Sequence, residues 1–153
     1  MKKQLELKKK LFLFCEDYVN QKINAAQEAI DNAQKSANQE TKSSAGDKYE
    51  TGRSMLQLDI EKYSAQLHEG MKLKKTLNQI DYKEIYQNVQ TGSLVETNHG
   101  NFFLSISAGK ITLGVIEYMA ISFSSPIGQA LFNKKVNDEI NFRGDKFLIE
   151  SVF

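Results

Sequence analysis

From Leu5 to Ala37 the chain contains neither proline nor glycine, and apolar or small residues return at three- and four-residue steps: Phe12, Cys15, Val19, Ile23, Ala26, Ile30, Ala33 and Ala37. That period marks one face of an α-helix, so the segment reads as one long helix. A polar, small-residue break follows, Thr41-Lys42-Ser43-Ser44-Ala45-Gly46, and then a second stripe begins with Leu56, Ile60, Tyr63, Leu67 and Met71, with Leu77 further on. Each helix alone would leave its stripe in water. Two such helices joined by a short loop bury both stripes by lying antiparallel, as a coiled-coil αα-hairpin. About 33 residues per arm, at a rise of ~1.5 Å each, make a rod on the order of 50 Å long. The distal stripe of the first helix is rich in alanine, which buries little apolar area per turn, so the tip half is expected to be slim and less stable than the base.

After Asp81-Tyr82-Lys83-Glu84 the pattern shortens to alternating runs separated by turn residues. Ser93–Thr97, then Asn98-His99-Gly100, then Asn101–Ile106 reads as a β-hairpin. Ile111–Phe123 reads as a further strand region with Gly114 as a bulge. The only proline, Pro126, follows Ser124-Ser125 and precedes Ile127-Gly128-Gln129-Ala130-Leu131-Phe132. Serine at the cap and proline at the first helical position predict a short helix. Glu139–Phe142 and Phe147–Val152 form a last hairpin around Arg143-Gly144-Asp145-Lys146, where Arg-Gly-Asp is a turn and not an adhesion tripeptide. The expected fold class is therefore α+β. A long antiparallel helical hairpin spans 1–80 with its tip near 41–50, and a small antiparallel β domain with one short helix spans 81–153.

Charge and cysteine usage narrow the function classes. A formal net charge of +1 does not suit a general nucleic-acid coat, which neutralises many phosphates with excess Lys and Arg. Residues 1–80 carry 14 Lys and Arg against 11 Asp and Glu, and residues 81–153 carry 6 against 8, so the more cationic module comes first. The lone cysteine, Cys15, has no partner for a disulfide or a metal site, which makes a reducing, cytoplasmic setting the expectation. Met1-Lys2-Lys3 and the run Leu11–Cys15 resemble a leader, but the apolar run is short and Glu16-Asp17 follow at once. No stretch approaches a membrane span. His68 and His99, one on a helix and one in a turn, have no neighbours at zinc-ligand spacing and read as solvated. Lys8-Lys9-Lys10 and Lys74-Lys75 both fall near the hairpin base, as a partner surface or a solvated face.

The segment Ile121-Ser122-Phe123-Ser124-Ser125-Pro126-Ile127-Gly128-Gln129-Ala130-Leu131-Phe132-Asn133-Lys134-Lys135-Val136-Asn137-Asp138-Glu139 closely resembles the Ser-Pro-Ile…Ala-Leu…Lys-Lys-Val-x-Asp segment of the bacterial Gre transcription-elongation factors, GreA and GreB. Gly92-Ser93-x-Val95 also resembles the start of their β domain. The resemblance implies an FKBP-like C-terminal domain that docks at the rim of the RNA polymerase secondary channel through the region of Ser125, Pro126, Ile127 and Gly128, while the hairpin enters the channel. In that family the hairpin tip carries an Asp and, three residues later, a Glu. Here Asp47-Lys48-Tyr49-Glu50 has that spacing and falls where periodicity alone puts the tip.

Two-metal phosphodiester hydrolysis needs one ion to activate water and another to steady the leaving oxygen. Magnesium takes oxygen ligands and is often held by one or two carboxylates plus waters and phosphate. The resemblance implies that Asp47 and Glu50 share the catalytic Mg²⁺ of RNA polymerase and so stimulate cleavage of backtracked RNA. The polymerase would be the enzyme and this chain its factor, probing the nascent RNA 3′ end as a monomer with no tightly bound cofactor of its own. Lys42, Lys48 and Arg53 lie near enough to the tip to contact RNA phosphates or channel walls. The same Asp-x-x-Glu is also a helix start, with Asp at the cap and Glu closing a reciprocal cap, and a capping carboxylate keeps lone pairs for a metal.

Where the family continues with Asn-Ala-Glu-Tyr after the Glu, this chain has Thr51-Gly52-Arg53-Ser54, which reverses a charge. A channel-occupying regulator without cleavage stimulation is therefore the alternative. Two further readings are a prolyl isomerase and a coiled-coil adaptor. The first would use a pocket lined by Phe102, Phe103, Tyr118, Phe123, Phe132, Phe142 and Phe147, but a small β domain needs such residues as core.

Overall fold

The computed structural model describes residues 1–40 and 46–153, without the side chains of residues 40 and 46–49. Two long helices, α1 (Lys2–Glu40) and α2 (Gly46–Asn78), precede a six-stranded sheet: β1 (Leu94–Thr97), β2 (Gly100–Leu104), β3 (Gly109–Leu113), β4 (Ile116–Ile121), β5 (Glu139–Phe142) and β6 (Asp145–Val152). A short helix, α3 (Pro126–Leu131), falls between β4 and β5. The α+β class is the one the sequence patterning predicts. By packing, the residues group into two compact units, Tyr18–Lys74, and Met1–Asp17 with Lys75–Phe153. Element order divides the chain near residue 80, whereas packing assigns the first part of α1 to the sheet.

Within the helical unit the register is antiparallel. A β-carbon added at Gly70 would sit 2.8 Å from Ile23 Cγ1, and Ala29, Asn32, Ala33 and Ser36 of α1 share a shallow groove with Leu56, Asp59 and Tyr63 of α2. Val19, Ala26, Ile30 and Ala33 are buried, as their spacing predicts. Met71 is a correction. It is 54 % exposed, and the buried position after Leu67 is Gly70, because a three-residue step from Leu67 keeps the stripe facing α1 where a four-residue step drifts away. Glycine also lets the two backbones approach at that point.

The sheet order is β3-β4-β2-β1-β6-β5. β1 pairs antiparallel with β2 and with β6, and the ladder shifts between Glu96 and Thr97. The expectation of a purely antiparallel sheet needs one correction, since β2 and β4 run parallel with Phe102 opposite Met119 and Leu104 opposite Ile121. Alternation along a lone strand carries no information about the direction of its neighbour. The Ile111–Phe123 region is two strands, not one bulged strand. Gly114, at φ 65°, opens the two-residue turn between Leu113 and Ile116, which are paired, and this is the left-handed conformation that tight hairpins require.

Each strand sends alternate side chains to opposite faces. One face carries Val95, Phe102, Leu104, Ile121, Phe147 and Ile149, which cluster with Val89, Ile140 and Leu131 of α3. The other carries Leu94, Phe103, Ile111, Tyr118 and Ala120, equally buried. Within the same unit Leu11 and Cys15 of α1 are fully buried, and Cys15 Sγ lies 3.6 Å from Ser105 Oγ at the end of β2. Burial raises the Cys15 thiol pKa, offset in part by that hydrogen bond. The start of α1 therefore supplies the second layer of the β domain's core, and each fully buried leucine or isoleucine there contributes roughly 1.5–3 kcal/mol.

Lys8 departs from the solvated reading of the Lys8-Lys9-Lys10 run. Its side chain is fully buried. The ammonium donates to the Glu84 carbonyl and stands 4.8 Å from the centre of the Tyr86 ring. Desolvation lowers its pKa from 10.5 to about 8, against the pull of Asp81 and Glu84. One turn on, Phe12 meets Tyr82 with ring centres 5.2 Å apart. Helical periodicity puts Lys8 in line with Leu11 and Cys15, so it is the buried member of the run, while Lys9 and Lys10 are exposed.

Candidate functional site

The segment that carries the family resemblance folds into a tightly closed corner. Ser125 caps α3, its hydroxyl accepting from Gly128 N at 3.1 Å and donating to the Ser122 carbonyl at 2.7 Å. The same carbonyl accepts from Ser125 N at 3.2 Å. Pro126 stands at the start of the helix, where its fixed φ suits the first turn and its missing N–H has no helical partner to lose. Gly128 is buried against the corner, and a β-carbon there would lie 2.1 Å from the Ser122 carbonyl oxygen. Glycine is therefore demanded by close backbone approach, not by an unusual φ.

Of the four expected docking residues, Pro126 is exposed and Ser125 half-buried. Ile127 packs against the core cluster, and Gly128 is buried. Of the four, Gly128 alone is fully enclosed, while half-buried Ile127 joins the core to the surface. The surface itself includes a residue that sequence reasoning assigned to the core. Phe132 is 57 % exposed and meets the half-buried Phe123 edge to face at 5.1 Å. α3 ends at Leu131, and Phe132 turns to φ −53°, ψ 130°, which points the ring off the helix face that Ile127 and Leu131 bury. The i, i+4 relation of Ile127 and Leu131 was the available signal, because Phe132 falls off that face.

Behind the corner, Val89 exchanges backbone hydrogen bonds with Asn133 and Lys134. Asn88 Nδ2 donates to Asn133 Oδ1 at 3.1 Å, and Asp138 accepts from Lys135 N at 2.9 Å. Asn133 at φ 60° and Asn137 at φ 76° take left-handed turns that asparagine tolerates better than most residues. The Lys134-Lys135-Val136 run is thereby held on a defined loop, with Lys135 exposed and Val136 42 % exposed.

At the other candidate site, Lys42 lies outside the described residues. Gly46 begins α2, so Asp47, Lys48 and Glu50 fall in its first turns by backbone. The side chains of Asp47 and Lys48 are outside the described residues, while Glu50 and Arg53 are exposed. Glu50, Arg53, Ser54 and Gln57 line one shallow depression on α2, so the guanidinium shares a surface with the carboxylate. Among the described residues no cluster of three or more His, Cys, Asp or Glu could hold a metal ion. The tip and the α3 corner belong to different compact units. His68 and His99 are both exposed, as expected, and the His99 ring rests 5.0 Å from that of Phe147. Among the described residues no helix is long and apolar enough to cross a membrane.

No family model matches this sequence, and no curated protein matches it. Among solved structures, the chain is similar to one described as the structure of the transcription factor Gfh1, at 18% identity, covering 89% of this chain and 91% of that one, with a TM-score of 0.34.

Proposed function

We propose that this chain is a Gre-type transcription factor that docks on RNA polymerase through the α3 corner and presents the segment between α1 and α2 to the polymerase secondary channel. The observation that carries the reading is the corner itself. Within the Gre-like segment Ile121 to Glu139, residues Ser122 to Phe132 are joined by a closed set of backbone and hydroxyl bonds around a glycine with no room for a side chain, and they leave Pro126 and Phe132 exposed. A helical pair precedes a β domain in the order the resemblance implies. In this reading Asp47 and Glu50 lend carboxylates to the polymerase's Mg²⁺, with Lys42, Lys48 and Arg53 facing RNA phosphates or channel walls.

A second reading keeps the docking and drops the cleavage, and Arg53 favours it. Arg53 lines the same depression as Glu50, and a cation placed near that carboxylate lowers its affinity for a metal ion. Transcript cleavage by stalled, backtracked elongation complexes separates the two. In the first reading saturating factor raises the cleavage rate and Asp47→Asn with Glu50→Gln removes the increase. In the second there is no increase, and RNA synthesis slows instead. Phe132→Asp tests the shared premise of docking. It should weaken polymerase binding by at least about tenfold with only a small fall in Tm, since the ring is largely in solvent and loses one edge contact with Phe123. Unchanged binding would rule out the corner as the docking surface.

A further inference from the structure

The two edges of the sheet are finished differently. β5, the outer strand on one side, lies beside α3, while each outer strand has one ion pair to its neighbour, Glu139–Lys146 and Lys110–Glu117. β3 is the outer strand on the other side. Its register with β4 closes on a two-residue turn, so Leu113 and Ile116 form a hydrogen-bonded pair and alternate pairs share that state: Ile111 with Tyr118, and Gly109 with Ala120. The N–H and C=O groups of Lys110 and Thr112 consequently point away from the sheet. Such an edge is a template for one more strand.

Beside this edge lies a groove of about 690 Å³, with Leu7, Leu113, Ile116, Tyr118 and Phe153 as its apolar lining and Lys3, Glu6 and Lys10 on its α1 wall. The turn next to it exposes Val115 almost completely, at 97 %. The first fifteen residues hold five lysines and one acid, Glu6, and of those lysines Lys2, Lys3, Lys9 and Lys10 are exposed. Glu96, also in the lining, already accepts the Ser151 hydroxyl at 3.0 Å. Lys110 is paired with Glu117 at 2.8 Å and so does not charge the edge.

From this geometry we propose that the β3 edge and its groove receive an extended segment of a partner protein as a seventh strand, with apolar side chains at alternate positions and acidic residues at its ends. Only a peptide in extended form supplies donors and acceptors at the spacing Lys110 and Thr112 present, its alternate side chains enter the groove, and the cationic start of α1 selects acidic flanks. This surface is separate from the α3 corner and does not depend on polymerase docking.

The probe is a synthetic peptide of about nine residues, long enough for one strand, alternating valine and threonine between glutamates. A lysine-flanked version serves as control. Amide exchange is followed on the isotope-labelled full chain. Saturating peptide is expected to slow exchange at Lys110 and Thr112 by about tenfold or more and to leave Ile111, whose amide is already paired with β4, unchanged. The lysine-flanked peptide should bind at least about fivefold more weakly at low salt, and the gap should close at high salt. Thr112→Pro removes only an outward donor, so it should abolish binding at unchanged Tm. The Lys3→Glu, Lys10→Glu double variant should reverse the flank preference whatever the fate of the proline variant. No slowing at saturating peptide, equal binding of both peptides, or protection of Lys110 and Thr112 that grows with the chain's own concentration would each overturn the proposal, the last by assigning the edge to a second copy.

Discussion

The two ends of α1 bury different chemistry under the same period. In the unit that contains the sheet, Lys8, Leu11 and Cys15 are all at 0 % exposure. In the helical unit the buried positions of α1 include Ala26 and Ala33, and Leu56, Ile60, Tyr63 and Leu67 of α2 are only half-buried. Stripe spacing is alike, but the apolar area removed from water per turn is not. Stability therefore concentrates where α1 meets the sheet, and the alanine-rich stretch gives a slender pair of helices whose packing is a smaller share of the whole.

Substitutions at matched positions on the two ends test that contrast. The largest effect belongs to Leu11→Ala, expected to cost about 2–5 kcal/mol in urea unfolding because it leaves a cavity in the second layer of the sheet's core. A cost under about 1 kcal/mol would show that this layer is loosely packed. Lys8 sharpens the comparison through pH. Its folded pKa, about 8, lies below the ordinary 10.5, so between those values the unfolded chain holds more protons and stability rises with pH, by at most about 1.4 kcal/mol per unit. Below pH 8 both states hold the proton and the slope vanishes. Measured against Lys8→Met, the wild type should gain relative stability from about pH 8 to 10. Above that range Tyr86 and Tyr118, whose pKa values are raised mainly by burial, act in the opposite direction. A flat difference across the window would mean that the Lys8 ammonium is solvated.

In the helical unit Ala33→Gly should cost only about 1 kcal/mol, chiefly backbone entropy. The smallest effect is expected at Gly70. Alanine there gains helix propensity and meets Ile23 Cγ1, so Gly70→Ala should fall within about 0.5 kcal/mol of the wild type, and in the Ile23→Ala background it should become stabilising by about 0.5–1 kcal/mol. Additive behaviour of the pair would break the register placed between those residues.

Periodicity in the sequence was enough to place both helices, the β1–β2 and β5–β6 hairpins and the Ser125-capped α3, because each depends on local spacing and turn chemistry. It did not reveal the parallel pairing of β2 with β4, since alternation along a strand is blind to its neighbour's direction. Nor did it separate Gly114 as a turn from Gly114 as a bulge, because both place glycine at positive φ. At the candidate docking site the chain order of Ser125, Pro126, Ile127 and Gly128 was legible, but their division into surface and scaffold was not, and Phe132 went to the core on hydrophobicity alone.

What the sequence by itself determined is the set of local structures: two long stripes of 3.6 period, short alternating strands, and a serine-proline helix start. Tertiary structure decided what each stripe faces. The first turns of α1 became part of the β domain's core, Lys8 was enclosed beside Tyr86 and the Glu84 carbonyl, and Gly128 closed against Ser122. The first two outcomes depend on contacts between residues far apart in the chain, and periodicity states that a face is buried without stating against what.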